Sequence, residues 1–322
     1  MAERTSIRPR RRTFEPASSL PDGRIMEVRS RDGVRLHTEV FGPADGYPIV
    51  LAHGITCALR VWAHQITDLS QHYRVIAYDH RGHGRSGVPP RRGGYTIDHL
   101  AADLDAVLEA TLAPDERAVI AGHSMGGIAI TTWSARFPDS VSRRADAVAL
   151  INTTTGDLLQ NVKFLPVPPG LAPARVRSAA SVIRTFGGAP LGRVVHPSGR
   201  RLVLMMAVGR GADPAIGQFV FDLFSATPPA GRGGWATALV NDLGPEHVDL
   251  THLTVPTLVI GSHGDRITPM VSARRIATTA PNLAKFVELP GGHCAILERP
   301  AEVNAHLRSL VESVAQPRRA SS

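Results

Sequence analysis

Apolar and β-branched runs recur along the chain, each short and each closed by glycine or a polar cluster. In order they are Ile25–Val28, Leu36–Phe41, Ile49–Leu51, Val75–Tyr78, Ala118–Ile120, Ala147–Ile151, Thr257–Ile260 and Phe286–Leu289. They predict eight strands. Asp32-Gly33 separates the first two, and Asp-Gly between alternating runs signals a hairpin. The later runs are continuously apolar, as strands buried on both faces are. Between them the period changes to that of a helix. Ile97–Leu112 carries Leu100, Leu104, Val107, Leu108 and Leu112, and Ile128–Phe137 follows the fifth strand. Pro269–Thr278 and Pro300–Val314 each open with proline, a natural residue for a first helical turn. Strands alternating with helices predict a mostly parallel sheet joined by right-handed crossovers.

Residues 157–250 break this rhythm. Prolines crowd the stretch (Pro166, Pro168, Pro169, Pro173 and Pro190 among them), with helix-like pieces at Ala174–Thr185 and Leu202–Val208. The expected organisation is an α/β core from 21–156 and 251–316, with a helical cap, 157–250, inserted in it. Residues 1–20 read as a disordered basic tail and 317–322 as a second tail.

With 322 residues, 43% of them hydrophobic, the chain can bury a large core. Leu202–Val208 is far shorter than the ~18 apolar residues that span a bilayer. Arg11-Arg12-Thr13-Phe14 faintly resembles an export signal, but Glu15–Ser19 follows where an apolar stretch is required. The expected location is therefore cytoplasmic. The net charge of +8 is carried almost wholly by arginine, since Lys163 and Lys285 are the only lysines. The basic residues are scattered, except for Arg10–Arg12 and Arg318-Arg319. That argues against nucleic acid, which needs a clustered face with stacking aromatics. It leaves weak attraction of the tails to an anionic membrane surface. Cys57 and Cys294 are too few for a disulfide framework or a zinc site and fit a reducing compartment. No oligomeric state is read from the sequence.

Ligands of open parallel sheets bind at the carboxyl ends of the strands. Three reactive side chains fall there. Ser124, in Gly122-His123-Ser124-Met125-Gly126, lies between the fifth strand and a helix. It is either a helix-capping serine or a nucleophile on a sharp elbow at a helix N-terminus. Asp265 and His293 follow the last two strands, and each alone reads equally well as a structural residue. His53, His80, His83, His123 and His263 also sit near strand ends, so position does not single out His293. The chemistry does so only in combination. A serine hydroxyl needs a base within reach, and the base needs a third group to fix its tautomer. Ser124, Asp265 and His293 supply those parts. Two oxyanion donors are also required, and the N–H groups of Met125 and of Ile55, in Leu51-Ala52-His53-Gly54-Ile55, are placed to serve.

Together these residues resemble the α/β-hydrolase superfamily, in its serine esterase and lipase-like branch with a helical lid. The resemblance runs from about residue 22 to 316. It is carried by His53-Gly54, by Asp79-His80-Arg81-Gly82-His83-Gly84-Arg85-Ser86, by the elbow at 122–126, by Gly264-Asp265-Arg266 and by Gly292-His293. It implies a mostly parallel eight-stranded sheet flanked by helices, with the lid inserted after the sixth strand. It also implies that His53, Asp79 and Arg81 organise loops. Epoxide hydrolases and dehalogenases of this superfamily use an aspartate nucleophile where this chain has Ser124. Epoxide hydrolases also use lid tyrosines, and none of Tyr47, Tyr73, Tyr78 and Tyr95 lies in 157–250. The expected activity is cleavage of an apolar carboxylic ester, of medium or long acyl chain or lipid-like, or a thioester, through an acyl-enzyme with no cofactor or metal. A carbon–carbon bond hydrolase and a cofactor-free perhydrolase resembling bacterial haloperoxidases are the alternatives. A non-catalytic receptor for a small apolar ligand is a third. Trp62, Phe186, Phe221 and Trp235 are candidates to line the substrate pocket, or else belong to the packing of the core and cap.

Overall fold

The structure is a computed structural model and describes residues 19–90, 93–162, 169–189 and 196–319. Most of the two predicted tails lies outside the described residues. Leu20 already packs on the core, and the last helix runs on to Arg319, past the expected boundary at 316.

Eight strands form one sheet: β1 (Arg24–Arg29), β2 (Arg35–Phe41), β3 (Pro48–Ala52), β4 (Arg74–Tyr78), β5 (Ala118–His123), β6 (Ala145–Ile151), β7 (Thr257–Ser262) and β8 (Leu283–Leu289). Their order is β1-β2-β4-β3-β5-β6-β7-β8. β1 pairs antiparallel with β2, and β2 antiparallel with β4; every other pairing is parallel. The central strands are short and apolar because both faces are covered, while the edge strands β1 and β8 are largely exposed. Successive side chains alternate between two cores. Ile49, Leu51, Val119, Ala121, Ala149 and Ile151 point to one face, under α1 (Ala63–Leu69) and α12 (Pro300–Arg319). Val50, Ala52, Ile120, Val148, Leu150 and Val259 point to the other, under α2 (Ile97–Thr111), α3 (Met125–Arg136) and α10 (Met270–Thr279). The sequence periodicity of α2 is realised with Leu104, Val107 and Leu108 buried, and Thr96 caps its start by accepting His99 N–H.

α3 starts three residues earlier than its apolar pattern suggested. The first helical residues are Met125, Gly126 and Gly127, and the glycines mask the periodicity. They are glycine because the helix enters against β3. A Cβ on Gly126 would overlap the Ala52 carbonyl, and one on Gly122 would overlap the Gly126 backbone.

A short helix, α4 (Pro138–Arg144), precedes β6. Between β6 and β7 stand α5 (Leu158–Asn161), α6 (Ala172–Phe186), α7 (His196–Ala207), α8 (Pro214–Ala226) and α9 (Pro229–Asp242). α11 (Ala295–Glu298) follows β8. The helical segment is tied to the core at α9. The indole N–H of Trp235 donates to the Arg81 carbonyl at 2.9 Å. The Arg81 guanidinium, wholly buried, pairs with Asp103 at 2.6 Å and Asp32 at 2.7 Å. A charge so buried is tolerable only because it is paired and its donors are used.

The close approach at the elbow predicts that Gly126→Ala destabilises the fold by about 1–3 kcal/mol, as overpacking against backbone does. Gly170→Ala, with open space around its Cβ, should stay within about 0.5 kcal/mol of the parent. Urea unfolding of the two variants checks both values.

Candidate active site

β5 delivers Ser124 to the carboxyl edge of the sheet. The residue takes φ 53°, ψ −117°, a conformation an L-residue adopts only under constraint. Its N–H donates to Ile151 O at 3.0 Å, and its carbonyl accepts Gly127 N–H at 2.8 Å and the Thr153 hydroxyl at 2.7 Å. The Ser124 side chain caps no helix N–H. Of the two roles open to it in sequence, the structure thus removes capping. The side chain is turned outward to His293.

The loop after β8 places His293, and the loop after β7 places Asp265. The Ser124 hydroxyl lies 2.9 Å from His293 Nε2, and His293 Nδ1 lies 2.8 Å from Asp265 Oδ2. Three side chains distant in sequence are thereby brought into one relay. Asp265 also accepts from the N–H groups of Ile267 and Thr268, from the Thr268 hydroxyl and from Asn152 Nδ2, each at 2.9 Å. Burial pushes the Asp265 carboxyl up. The charge and hydrogen bond of His293 and the donors from Thr268 and Asn152 outweigh it, and the group lies below its ordinary value. It is held as a carboxylate. Asn152 and Thr268 went unrecognised in the sequence. Thr268 carries a faint signal, three residues after Asp265 on the same turn; Asn152 has only its place just past β6.

The loop that carries Ile55 comes close to the same spot. A Cβ on Gly54 would sit 3.1 Å from the Ser124 Cβ, so the loop after β3 passes directly over the serine. Among the described residues no acceptor is bonded to Ile55 N–H or to Met125 N–H. The loop is held by imidazoles. His53 Nδ1–H donates to Gly54 O at 2.7 Å, and Thr56 N–H donates to His83 Nε2 at 2.9 Å. His80 Nε2–H donates to His53 O at 2.9 Å, and Asp79 accepts Leu59 N–H at 2.7 Å. Under the serine, His123 Nε2–H donates to the His293 carbonyl at 2.9 Å. Burial drives the His80 imidazole down to about 3, His83 to about 4 and His123 to about 3, and with its neighbouring histidines holds His53 well below the ordinary range. All four are neutral and act as fixed donors and acceptors.

The candidate pocket residues divide. Trp235 is fully buried on Met125 and Leu239 with its N–H given to Arg81, and Trp62 is fully buried in the core with its ring edge toward His123 at 6.4 Å. Phe221 is buried and stacks on Phe224 at 6.3 Å. The Phe186 side chain lies outside the described residues. Cys57 and Cys294 are free thiols in one apolar cluster. Burial pushes Cys57 up to about 12 and holds Cys294 well above the ordinary thiol range, so neither is a nucleophile. No helix among the described residues is long and apolar enough to cross a membrane.

A family model described as alpha/beta hydrolase fold matches residues 47–300. A non-heme chloroperoxidase of Burkholderia pyrrocinia is 29% identical over 303 residues, 89% of this chain and 99% of its own length. A Mycobacterium tuberculosis protein named "Probable oxidoreductase EphD" is 33% identical over 137 residues, 42% of this chain. The chain spans only 23% of that protein. Among solved structures, the enol-lactonase of Burkholderia xenovorans superposes with a TM-score of 0.69 at 26% identity, over 89% of this chain and 100% of its own.

The four neutral histidines carry a pH prediction. Each has a folded value below the unfolded ~6.5, so below that pH the unfolded chain binds more protons and stability falls. The melting temperature should decline from about pH 6 toward pH 4, with about four protons taken up on unfolding near pH 5. Calorimetric scans across that range measure the slope. A flat profile would show that these imidazoles are not buried neutral.

Proposed function

The chain belongs to the α/β hydrolase fold family, and from that premise we propose that it is a serine hydrolase acting on apolar carboxylic esters. The observation that carries the reading is the unbroken relay of 2.9 and 2.8 Å from Ser124 through His293 to Asp265. His293 Nε2 takes the hydroxyl proton as Ser124 Oγ attacks the ester carbonyl carbon. The carbonyl oxygen gains negative charge and meets the N–H groups of Ile55 and Met125. Each such donor contributes about 2.7–4 kcal/mol to lowering the barrier. His293 then gives its proton to the departing alkoxide, leaving an acyl-enzyme. Water, deprotonated by the same imidazole, releases the acid. Asp265 keeps Nδ1 protonated and balances the imidazolium as it forms. We take residues 157–250 as a cap over this site.

Support for an apolar acyl group comes from the packing on either side. Ile55 and Met125 cluster with Trp235, Leu158 and Val248, while Val208 and Phe219 pack against the apolar cluster to which Cys57 and Cys294 belong. Lactones are cyclic esters, so the enol-lactonase likeness is in keeping with this chemistry. A second reading is favoured by the chloroperoxidase, which aligns over nearly its whole length. Hydrogen peroxide replacing water at the acyl-enzyme would release a peroxyacid and restore the Ser124 hydroxyl.

Ser124→Ala should lower hydrolysis of p-nitrophenyl acyl esters by at least about 10⁴-fold while the protein stays folded. A fluorophosphonate should label Ser124 in the parent. A chain-length series of esters, run with and without peroxide, identifies the acyl group and the preferred acceptor. Folded protein that neither labels nor turns over any ester would be a receptor on the same fold.

A further inference from the structure

The loop that bears His293 has few bonds of its own. It runs from Pro290 to Cys294, with Gly291 at φ 116°, between β8 and the one-turn helix α11. Its hold on the cap passes through one carboxylate and one backbone bond. Glu298 Oε2 accepts Gly209 N–H at 2.9 Å, and both Glu298 oxygens accept Gly292 N–H at 3.1 Å. Gly209 lies just beyond α7, in the cap; Gly292 immediately precedes His293. One residue past His293, Cys294 N–H donates to Ala207 O, the last residue of α7, at 3.0 Å. The end of α7 therefore grips the chain on both sides of the imidazole.

Side chains are excluded from this junction. A Cβ on Gly209 would stand 2.7 Å from Glu298 Oε2 and 2.7 Å from Gly292 N, and one on Gly292 would overlap Val208 and Gly209 backbone. Two backbones meet there with only the carboxylate between their N–H groups. From beneath, His123 fixes the His293 carbonyl. The position of the imidazole is thus set on one side by the sheet and on the other by the cap.

We infer that Glu298 is a positioning residue for His293, coupling the end of cap helix α7 to the imidazole that serves Ser124. The inference rests on the hydrolase reading for its kinetic consequence, and on the geometry alone for its structural one. Glutamine at 298 would keep an oxygen able to accept from both Gly209 and Gly292, as Oε2 does, whereas alanine removes both acceptors. With alanine the two N–H groups lose their shared partner, and only the Cys294 N–H bond to Ala207 O still ties the His293 loop to the end of α7. Ångström-scale misplacement of a catalytic group costs up to about 100-fold in rate.

Glu298→Ala should lower kcat about 10- to 100-fold with KM within about twofold. It should slow fluorophosphonate labelling of Ser124 by a similar factor. It should also abolish or broaden the low-field proton signal of the His293 Nδ1–H bond to Asp265. Gly209→Ala, which wedges the same junction with Glu298 intact, should move all three readouts in the same direction and decides the matter if Glu298→Ala does not fold. A role confined to stability would lower the melting temperature and leave labelling rate and low-field proton at parent values, and that result overturns the inference. So does an effect of Gly209→Ala alone. The proton signal needs no substrate. A parent protein inert toward every ester would end the hydrolase reading, while the signal would still decide the part played by Glu298.

Discussion

A serine held at φ 53° between a strand and a helix is the constraint from which the rest of the molecule takes its measure. Such a conformation costs of order 1–3 kcal/mol and persists only where its surroundings over-determine it. Here they do. Ser124 is bonded to β6 through Ile151, its carbonyl is held by Thr153, and α3 is pressed against β3 where only glycine fits. The sheet order puts β5 in the middle, with β3 on one side and β6 on the other. The loops that follow these strands are therefore the ones that reach the serine. Ile55 comes from the loop after β3 and Asn152 from the end of β6. Asp265 and His293 come from the loops after β7 and β8.

Around that point the polar groups are arranged by tautomer rather than by charge. His53, His80, His83 and His123 each donate from one ring nitrogen, and His53 and His83 accept with the other. Neutral rings in a dry layer avoid the desolvation cost that ionic partners would bring. They leave Asp265 as the carboxylate bonded to His293. The buried Arg81 guanidinium is paired with Asp103 and with Asp32, which is itself partly open to solvent.

Much of this was legible in the sequence for a physical reason. The central strands, buried on both faces, must be apolar without interruption and could be read off as short runs, while β1 and β2 were marked by alternation about Asp32-Gly33 and β8 by Phe286–Leu289. Their carboxyl ends are where parallel sheets collect ligands, so Ser124, Asp265 and His293 could be picked out together. What could not be read was whatever depends on the third dimension alone. α3 begins at Met125 because glycines are required for contact with β3, and glycines carry no hydrophobic period. Trp62 and Trp235 looked like pocket walls because aromatic residues near a site suit either use, and only packing distinguishes them. Thr268, three residues after Asp265, gives only a faint hint in its spacing, and nothing in the spacing of Asn152 announces its bond to Asp265.

The Trp235 bond to the Arg81 carbonyl joins a helix of the inserted segment to a turn that already carries the buried Arg81–Asp103 pair. That bond makes the cap less of an independent module than its insertion between two strands suggests. Transplanting the segment from a relative onto this core would transfer loops and helices, yet it would also have to bring an indole-like donor to the same carbonyl. Without it, that carbonyl would keep only the longer 3.2 Å bond from His83, and the graft would lose its tie at the seam rather than at its new substrate surface.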